Sequence, residues 1–310
     1  MTNGVVNVRK EKGMTSFGVV ARLRRIFGQK KIGHTGTLDP DAEGVLPICL
    51  GRATHLVEDL SRGTKTYRAV LLLGVETDTQ DISGTVLLEK EVTVTEEEVR
   101  EAIFSFQGKQ KQLPPMYSAV KVNGQKLVDL ARRGIEVERK EREVEFSEIN
   151  ILSVDFPRVT FEVTCSHGTY IRTLCHDIGQ KLGCGACMES LLRLRVEDFT
   201  LEDALTVDEI ARRKAEEDAE GRTDYSFVRK IDSFYGDLVP VQLPEALVAS
   251  AVNGNSLDVG EVPSAQSLAV GERMRLYTPE NDFVGVYKRG TNKIRLVRYF
   301  YEKENHADSK

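Results

Sequence analysis

An α+β fold with a small β-barrel at its C-terminal end is what this sequence predicts. Three observations carry that expectation. Strand-like and helical stretches alternate irregularly, with hairpin spacings, where a doubly wound sheet would alternate regularly. Beyond Pro240 the texture changes to short strand-like pieces separated by Gly254, Gly260, Gly271 and Gly290. With 310 residues, 40% of them hydrophobic and 29% charged, the chain can bury more than one core.

Residues 15–27 place Phe17, Val20, Leu23, Ile26 and Phe27 near helical spacing, with Thr15 or Ser16 available as a cap. Residues 67–74 and 84–88 read as strands joined by an acidic turn. Residues 95–106 read as a helix opened by Thr95, with Glu98 three positions on, the spacing of a capping box. Two strands follow at 144–154 and 159–165, turning through Asp155-Phe156-Pro157-Arg158, and then a helix at 171–182 ended by Gly183. Residues 202–232 are charged, helical in composition and poor in apolar periodicity, which suggests a peripheral segment. The last strands fall at 256–259, 274–277, 284–287 and 294–299.

The net charge of −5 looks unfavourable for a nucleic-acid partner, but the charge is unevenly spread. Residues 1–36 hold eight Lys/Arg against one acid, and residues 108–142 hold nine against four. Acids concentrate in 76–101, nine against two, and in 202–237, eleven against six. A phosphate-binding face needs local positive potential, not a positive total. Charge blocks of this kind are also ordinary solvated faces.

Cys49, Cys165, Cys175, Cys184 and Cys187 are an odd, irregularly spaced set, which favours reduced thiols over a disulfide framework. Residues 1–12 are polar and basic with no apolar leader, so a cytoplasmic protein is expected. No run of eighteen apolar residues exists, and no transmembrane helix or membrane partner is expected. Cys184 and Cys187 lack a second well-spaced pair, so no metal is expected there.

The most distinctive stretch runs Gly33-His34-Thr35-Gly36-Thr37-Leu38-Asp39-Pro40-Asp41-Ala42-Glu43-Gly44-Val45-Leu46-Pro47. Its glycines and prolines argue against a helix or a central strand and for a tight loop that can approach a ligand closely. Asp39 would sit at the apex, held in direction and accessible. Taken alone, Asp39-Pro40 reads better as the start of a type I turn.

That run resembles the catalytic loop of the TruB family, the bacterial tRNA pseudouridine-55 synthases. The resemblance extends from Gly13-Met14-Thr15-Ser16 to about Phe199. It continues in order through Lys65-Thr66-Tyr67-Arg68, Thr77-Asp78-Thr79, Pro114-Pro115-Met116-Tyr117-Ser118-Ala119-Val120-Lys121 and Gly168-Thr169-Tyr170-Ile171-Arg172. It implies the pseudouridine synthase fold, a large mixed, mainly antiparallel sheet flanked by helices, over residues 1–236. It further implies an RNA-gripping insertion at 109–142 and a PUA-like RNA-binding domain at 237–303, with a disordered tail at 304–310.

The same resemblance implies the chemistry. Converting uridine to pseudouridine breaks the N1–C1′ bond and joins C5 to C1′, with no redox step, so no cofactor is expected. Asp39 is implied as the nucleophile, whether it adds to C6, attacks C1′ or assists a glycal route. Arg172 is implied as its counter-ion, since a guanidinium can orient a carboxylate through two hydrogen bonds. Tyr67 is implied as the stacking face for the flipped base and as an aid to loss of the C5 proton. Tyr170 and Leu191 are implied to contact the target nucleotide, and His34 to hold the opened RNA loop. Lys121 and Arg132, with Lys126 and Arg133, are implied to meet phosphates. Without these motifs Arg172 would read as a surface residue on a helix, and Tyr67, Tyr170 and Leu191 as core.

Some positions depart from the family pattern. Arg9 and Glu11 replace the usual acid and proline of an N-terminal motif in which Lys10 and Gly13 are kept. Val128 stands near a usual tyrosine, Leu192 at a usual arginine, Cys187 at a usual histidine, and His167 at a usual lysine. The implied partner is the T-stem-loop of tRNA, bound by a monomer with no obligate protein partner. An RNA-folding factor with secondary catalysis is the alternative. A glycosidase is disfavoured because no second carboxylate is evident as acid–base partner.

Overall fold

The computed structural model describes residues 1–302, and the tail expected at 304–310 lies outside the described residues. The chain begins with β1 (Gly4–Lys10), α1 (Ser16–Phe27), β2 (Ile32–His34), β3 (Glu43–Leu50) and α2 (Val57–Ser61). It continues through β4 (Lys65–Leu73), β5 (Val75–Thr77), β6 (Val86–Glu89), α3 (Glu96–Phe104) and β7 (Gly108–Gln112). The insertion holds β8 (Lys121–Val122), β9 (Gln125–Lys126) and α4 (Leu127–Ala131). Next come β10 (Arg142–Asp155), β11 (Arg158–Cys165), α5 (Ile171–Leu182), β12 (Ala186–Val196), β13 (Phe199–Thr200), α6 (Val207–Ala219) and β14 (Val228–Arg229). The last part comprises β15 (Val239–Gln242), α7 (Glu245–Ala251), β16 (Leu257–Asp258), β17 (Arg273–Tyr277), β18 (Phe283–Arg289) and β19 (Lys293–Tyr299).

Ten strands form the main sheet in the order β14-β1-β3-β12-β4-β11-β10-β7, with β2 on β3 and β13 on β12. Every pairing in it is antiparallel except β3 with β12, where Leu192 faces Glu43 and Arg193 faces Gly44. The mixed, mainly antiparallel character is as expected. That one parallel contact positions the site, because it sets the exit of the Asp39 loop against the strand carrying Leu191 and Arg193. Gly44 is required there: its φ is +109°, and a side chain would collide with the Arg193 backbone.

Local signals explain the helices. Thr15 caps α1 by accepting from Gly18 N, and Gly28 closes it at φ 62°. Both halves of the Thr95–Glu98 capping box are formed at α3. Helices α3 and α5 cover a core that includes Leu71, Phe146, Phe161 and Ile178. Helices α1 and α6 cover a second, with Val8, Leu23, Leu46 and Ile210. The last five strands form an open sheet, β15-β17-β18-β19-β16, around Val241, Met274, Leu276 and Tyr287. It is a curled half-barrel and not a closed barrel, because β16 spans only two residues and short 3-10 turns replace strand at 259–265. Phe300 of this unit packs with Val5, Cys49, Leu56 and Ile231.

Three expectations need correction. Residues 43–47 lie in a central strand, despite Pro47. The Pro47 carbonyl accepts from Thr35 N on the β2 side. Its nitrogen therefore faces the same edge, between the points where β12 and β2 pair, and no ladder donor is lost. The strands at 67–74 and 84–88 do not form a hairpin. β4 lies between β11 and β12, while β6 pairs with β5 in a sheet of two. In 202–232 only Val207–Ala219 is helical, opened by a Thr206–Glu209 capping box, and its Val207 and Ile210 are buried. Gly221 at φ 75° follows its end, and β14 joins the sheet edge.

Candidate active site

Asp39 lies on the loop between β2 and β3, and that loop is fastened at five points. Ser16 Oγ, buried at the start of α1, accepts from Leu38 N at 2.8 Å and donates to Leu38 O at 3.0 Å. Lys10 Nζ and Gly13 N both donate to Pro40 O, at 3.1 and 2.9 Å. Arg193 Nη2 donates to Gly36 O at 3.2 Å and its Nε to Val45 O at 2.6 Å. Ala42 N closes the turn onto Asp39 O. Lys10 is fully buried, and desolvation pulls its ammonium below the usual lysine range against the opposing pull of Glu43, Asp39 and Asp41. The backbone on both sides of Asp39 is thus fixed while its carboxylate stays partly exposed, at 43% of its side-chain surface.

Arg172, in the first turn of α5, is the hub facing that carboxylate. Its Nε lies 3.4 Å from Asp39 Oδ2 and its Nη1 3.2 Å from Asp81 Oδ2. Nη1 also donates to Thr79 O at 3.3 Å and Nη2 to Tyr117 O at 2.8 Å. Its side chain is 8% exposed, so these are desolvated contacts. Asp81 is anchored in turn: Oδ1 accepts from Thr79 Oγ1 at 2.9 Å and Ser83 N at 3.0 Å.

A cavity of about 430 Å³ opens beside Asp39. Tyr67, Tyr170, Leu191, Arg172, Lys65 and Arg193 are among its lining residues. Tyr67 and Lys65 alternate on one face of β4, and Tyr67 stands opposite Arg193 in β12. Burial pushes the Tyr67 phenol up, and the Arg193 guanidinium opposes that. Gln112 fixes Tyr170 by accepting from its N at 2.8 Å and donating to its O at 2.9 Å. A second space of about 250 Å³ adjoins the first at Asp39, Tyr117, Val128, Arg172 and Leu191, and Arg132 lines it.

The sequence-expected residues fall into two groups. Asp39, Tyr67, Arg172, Tyr170 and Leu191 meet at one cavity, and Arg132 reaches the adjoining one. His34 stands at the end of β2, outside both linings, with Nδ1 buried and without a hydrogen-bond partner. Burial, then the charge of Arg193, pulls its ring below the usual histidine range. Lys121 is exposed on the β8–β9 hairpin, also outside both linings. The five cysteines are free and buried.

Residues 24–171 match the sequence profile of the TruB family pseudouridylate synthase N-terminal domain, and residues 172–233 that of the tRNA pseudouridylate synthase B C-terminal domain. The tRNA pseudouridine synthase B of Alkaliphilus oremlandii is 44% identical, over 97% of this chain and 100% of the relative. The chain belongs to the TruB family. The tRNA pseudouridine synthase B of Streptococcus gordonii is 47% identical over 83% of this chain and 88% of its own. In solved structures, a chain of a Cbf5-Nop10-Gar1 complex superposes with a TM-score of 0.69 at 27% identity, covering 96% of this chain and 85% of that one.

Membership of the TruB family makes the chain an RNA-modifying isomerase, a pseudouridine synthase. Sequence reasoning on the TruB motifs missed Asp81, Gln112, Lys65 and Arg193 as site residues. Asp81 follows the quoted Thr77-Asp78-Thr79 by two positions, and Lys65 opens the Lys65-Thr66-Tyr67-Arg68 motif, so a signal was present for both. Gln112 carried none: its role depends on β7 meeting the residue before α5. Among the departures from the TruB pattern, Val128 is a wall of both cavities, where a tyrosine would occupy more of the space.

Proposed function

We propose that this protein isomerises the uridine at position 55, in the T-loop of tRNA, with Asp39 as the nucleophile toward a base flipped into the cavity of about 430 Å³. The observation that carries the reading is the Arg172–Asp39 ion pair, 3.4 Å long, at the edge of a cavity walled by Tyr67, Tyr170 and Leu191. Unstacking a base from folded RNA costs a few kcal/mol, and an aromatic wall recovers part of it. Tyr67 provides that face on a rigid strand. Arg172 pairs with the carboxylate at 3.4 Å and holds its direction toward the cavity.

The basic stretch around Lys121 and Arg132 supports a role in gripping tRNA phosphates, with His34 bracing the opened loop and the C-terminal half-barrel extending the RNA contact. The test is Asp39→Asn, assayed for pseudouridine at nucleotide 55 and separately for tRNA binding. The reading expects binding to persist and pseudouridine to vanish. Pseudouridine formed by the variant would overturn the nucleophile assignment. Wild-type protein that binds tRNA without modifying it would favour a folding factor instead.

A further inference from the structure

Two cations in the wall of this cavity have no carboxylate partner among the described residues. The Lys65 ammonium donates only to main-chain oxygens, Ser61 O at 2.9 Å and Gly63 O at 2.7 Å. An ammonium has three donors, so one N–H is left unassigned. Arg193, 1% exposed, likewise spends Nε and Nη2 on the carbonyls of Val45 and Gly36. Neither takes part in an ion pair within 4.0 Å, whereas Arg172 takes part in two. Burying an unpaired charge costs several kcal/mol per ion unless something compensates it. Two neighbouring strands, β11 and β12, flank Lys65. Its register partners are Cys165 and Val196, and Glu197, the next residue, directs Oε1 to Thr64 N.

The substrate can bring the missing charge. In either route in which the N1–C1′ bond breaks first, its electron pair stays on the uracil. The negative charge is then shared by N1 and the two carbonyl oxygens. At C1′ the lost bond is replaced by one to Asp39, which C5 later displaces, or, in a glycal route, by the C2′–H electron pair as Asp39 takes that proton and later returns it; no oxidant or further reactant is required. The charge disappears when C5 uses an electron pair to bond to C1′, and the C5 proton then leaves. Lys65 is 7% exposed and lies two positions from Tyr67 on the same face of β4, so it lies beside the base and not along the outer path of the RNA backbone.

We infer that Lys65, backed by the charge of Arg193, forms an anion-stabilising floor for the departing uracil, donating its free N–H to a carbonyl oxygen as the N1–C1′ bond breaks. This rests on the reading proposed above for the cavity. It adds a catalytic residue to a cavity that Asp39 also lines. A preorganised donor aimed at developing charge in a dry site stabilises the transition state more than the ground state. Lys65 would therefore govern the rate and not the affinity.

The test uses the full chain and unmodified tRNA under single-turnover conditions. Lys65→Met removes charge and donors. Lys65→Gln keeps a donor for the Ser61 and Gly63 carbonyls while removing the charge, which guards against simple misfolding. Both should slow pseudouridine formation about a hundredfold, the scale for loss of one oxyanion donor, with tRNA dissociation constants unchanged within about threefold. Lys65→Arg should restore at least about tenfold of that loss. Thermal melts identify any variant that is unfolded. A wild-type rate in folded Lys65→Gln would overturn the inference. So would a loss confined to affinity with a shallower salt dependence, which is the signature of a phosphate contact. If wild type itself makes no pseudouridine, the underlying reading fails instead, and the two failures are distinct.

Discussion

Arg172 Nε stands 3.4 Å from Asp39 Oδ2, and the rest of the same guanidinium is held by groups that are not substrate. Asp81, Thr79 O and Tyr117 O occupy Nη1 and Nη2. The side of Arg172 that meets Asp39 is therefore aimed by its other contacts. A lysine offers one compact charge and cannot span these partners. Arg172→Lys should lower single-turnover pseudouridine formation by about a hundredfold or more while tRNA still binds. Equal loss of rate and binding would show that Arg172 acts on the RNA and not through Asp39.

Asp81 acts at one remove from the chemistry. Its side chain is 15% exposed, and it is one of two carboxylates paired with Arg172. Asp81→Asn keeps the shape and still accepts from Thr79 and Ser83, but it weakens the pull on Nη1. Removing one partner of a buried pair costs roughly 3–5 kcal/mol when the charge is left alone; here Asp39 remains, so about 1–2 kcal/mol is expected. The rate should fall about tenfold or more, with affinity unchanged. Urea titrations and single-turnover assays measure the two effects. Asp81→Ala should be worse on both, because Oδ1 also holds the 79–83 turn.

The legible part of this molecule was the part written in short-range signals. Thr95–Glu98 and Gly183 delimit their helices because caps act within one turn. Asp39 and Arg172 were readable because each sits in a distinctive motif, and the structure brings them together. What escaped needed the third dimension. Pro47 argued against a central strand, yet its nitrogen faces the edge of β3 between the β12 and β2 pairings, where only its carbonyl is used, by Thr35 N. Gln112 is 58 residues from Tyr170 and clamps it through two hydrogen bonds. Thr15 or Ser16 could each cap α1; Thr15 takes that role, and the hold of Ser16 on Leu38 was not legible. The barrel-like C-terminal unit was legible from its strand pattern; that its sheet stays open was not, because strand spacing says nothing about closure.

Ser16 offers a direct test of loop rigidity. Its hydroxyl satisfies both main-chain groups of Leu38, the residue before the nucleophile, and it is 3% exposed. Ser16→Ala leaves a buried N–H and a buried C=O without that partner, at about 1–3 kcal/mol. Part of that cost should appear as loop motion. The rate is expected to fall about tenfold, with increased amide exchange at Leu38 and Asp39. Ser16→Thr keeps the hydroxyl and should retain more of the rate. Unchanged exchange with a lowered rate would detach Ser16 from the loop.

Lys65 also predicts how stability responds to pH. Burial, with the repulsion of Arg193, pulls its ammonium down to about 8 from an ordinary value of 10.5, while Cys165 and Glu197 pull weakly the other way. Below pH 8 the lysine is protonated in both folded and unfolded chains, and the folded state bears the full penalty. Between pH 8 and 10.5 the folded protein has lost the proton while the unfolded chain still holds it. The unfolded state then binds more protons, so stability rises with pH through this window. The difference in unfolding free energy between wild type and Lys65→Met should therefore shift toward wild type by roughly 3 kcal/mol from pH 7 to pH 10.5. Denaturant titrations of both proteins across that range give the slope, and comparing the two cancels the alkaline titration of other groups. A flat difference would mean that Lys65 stays protonated in the fold, held by an anion within reach. In tRNA-bound protein the same window should close, because the RNA brings negative charge to the cavity and raises the lysine toward its ordinary range.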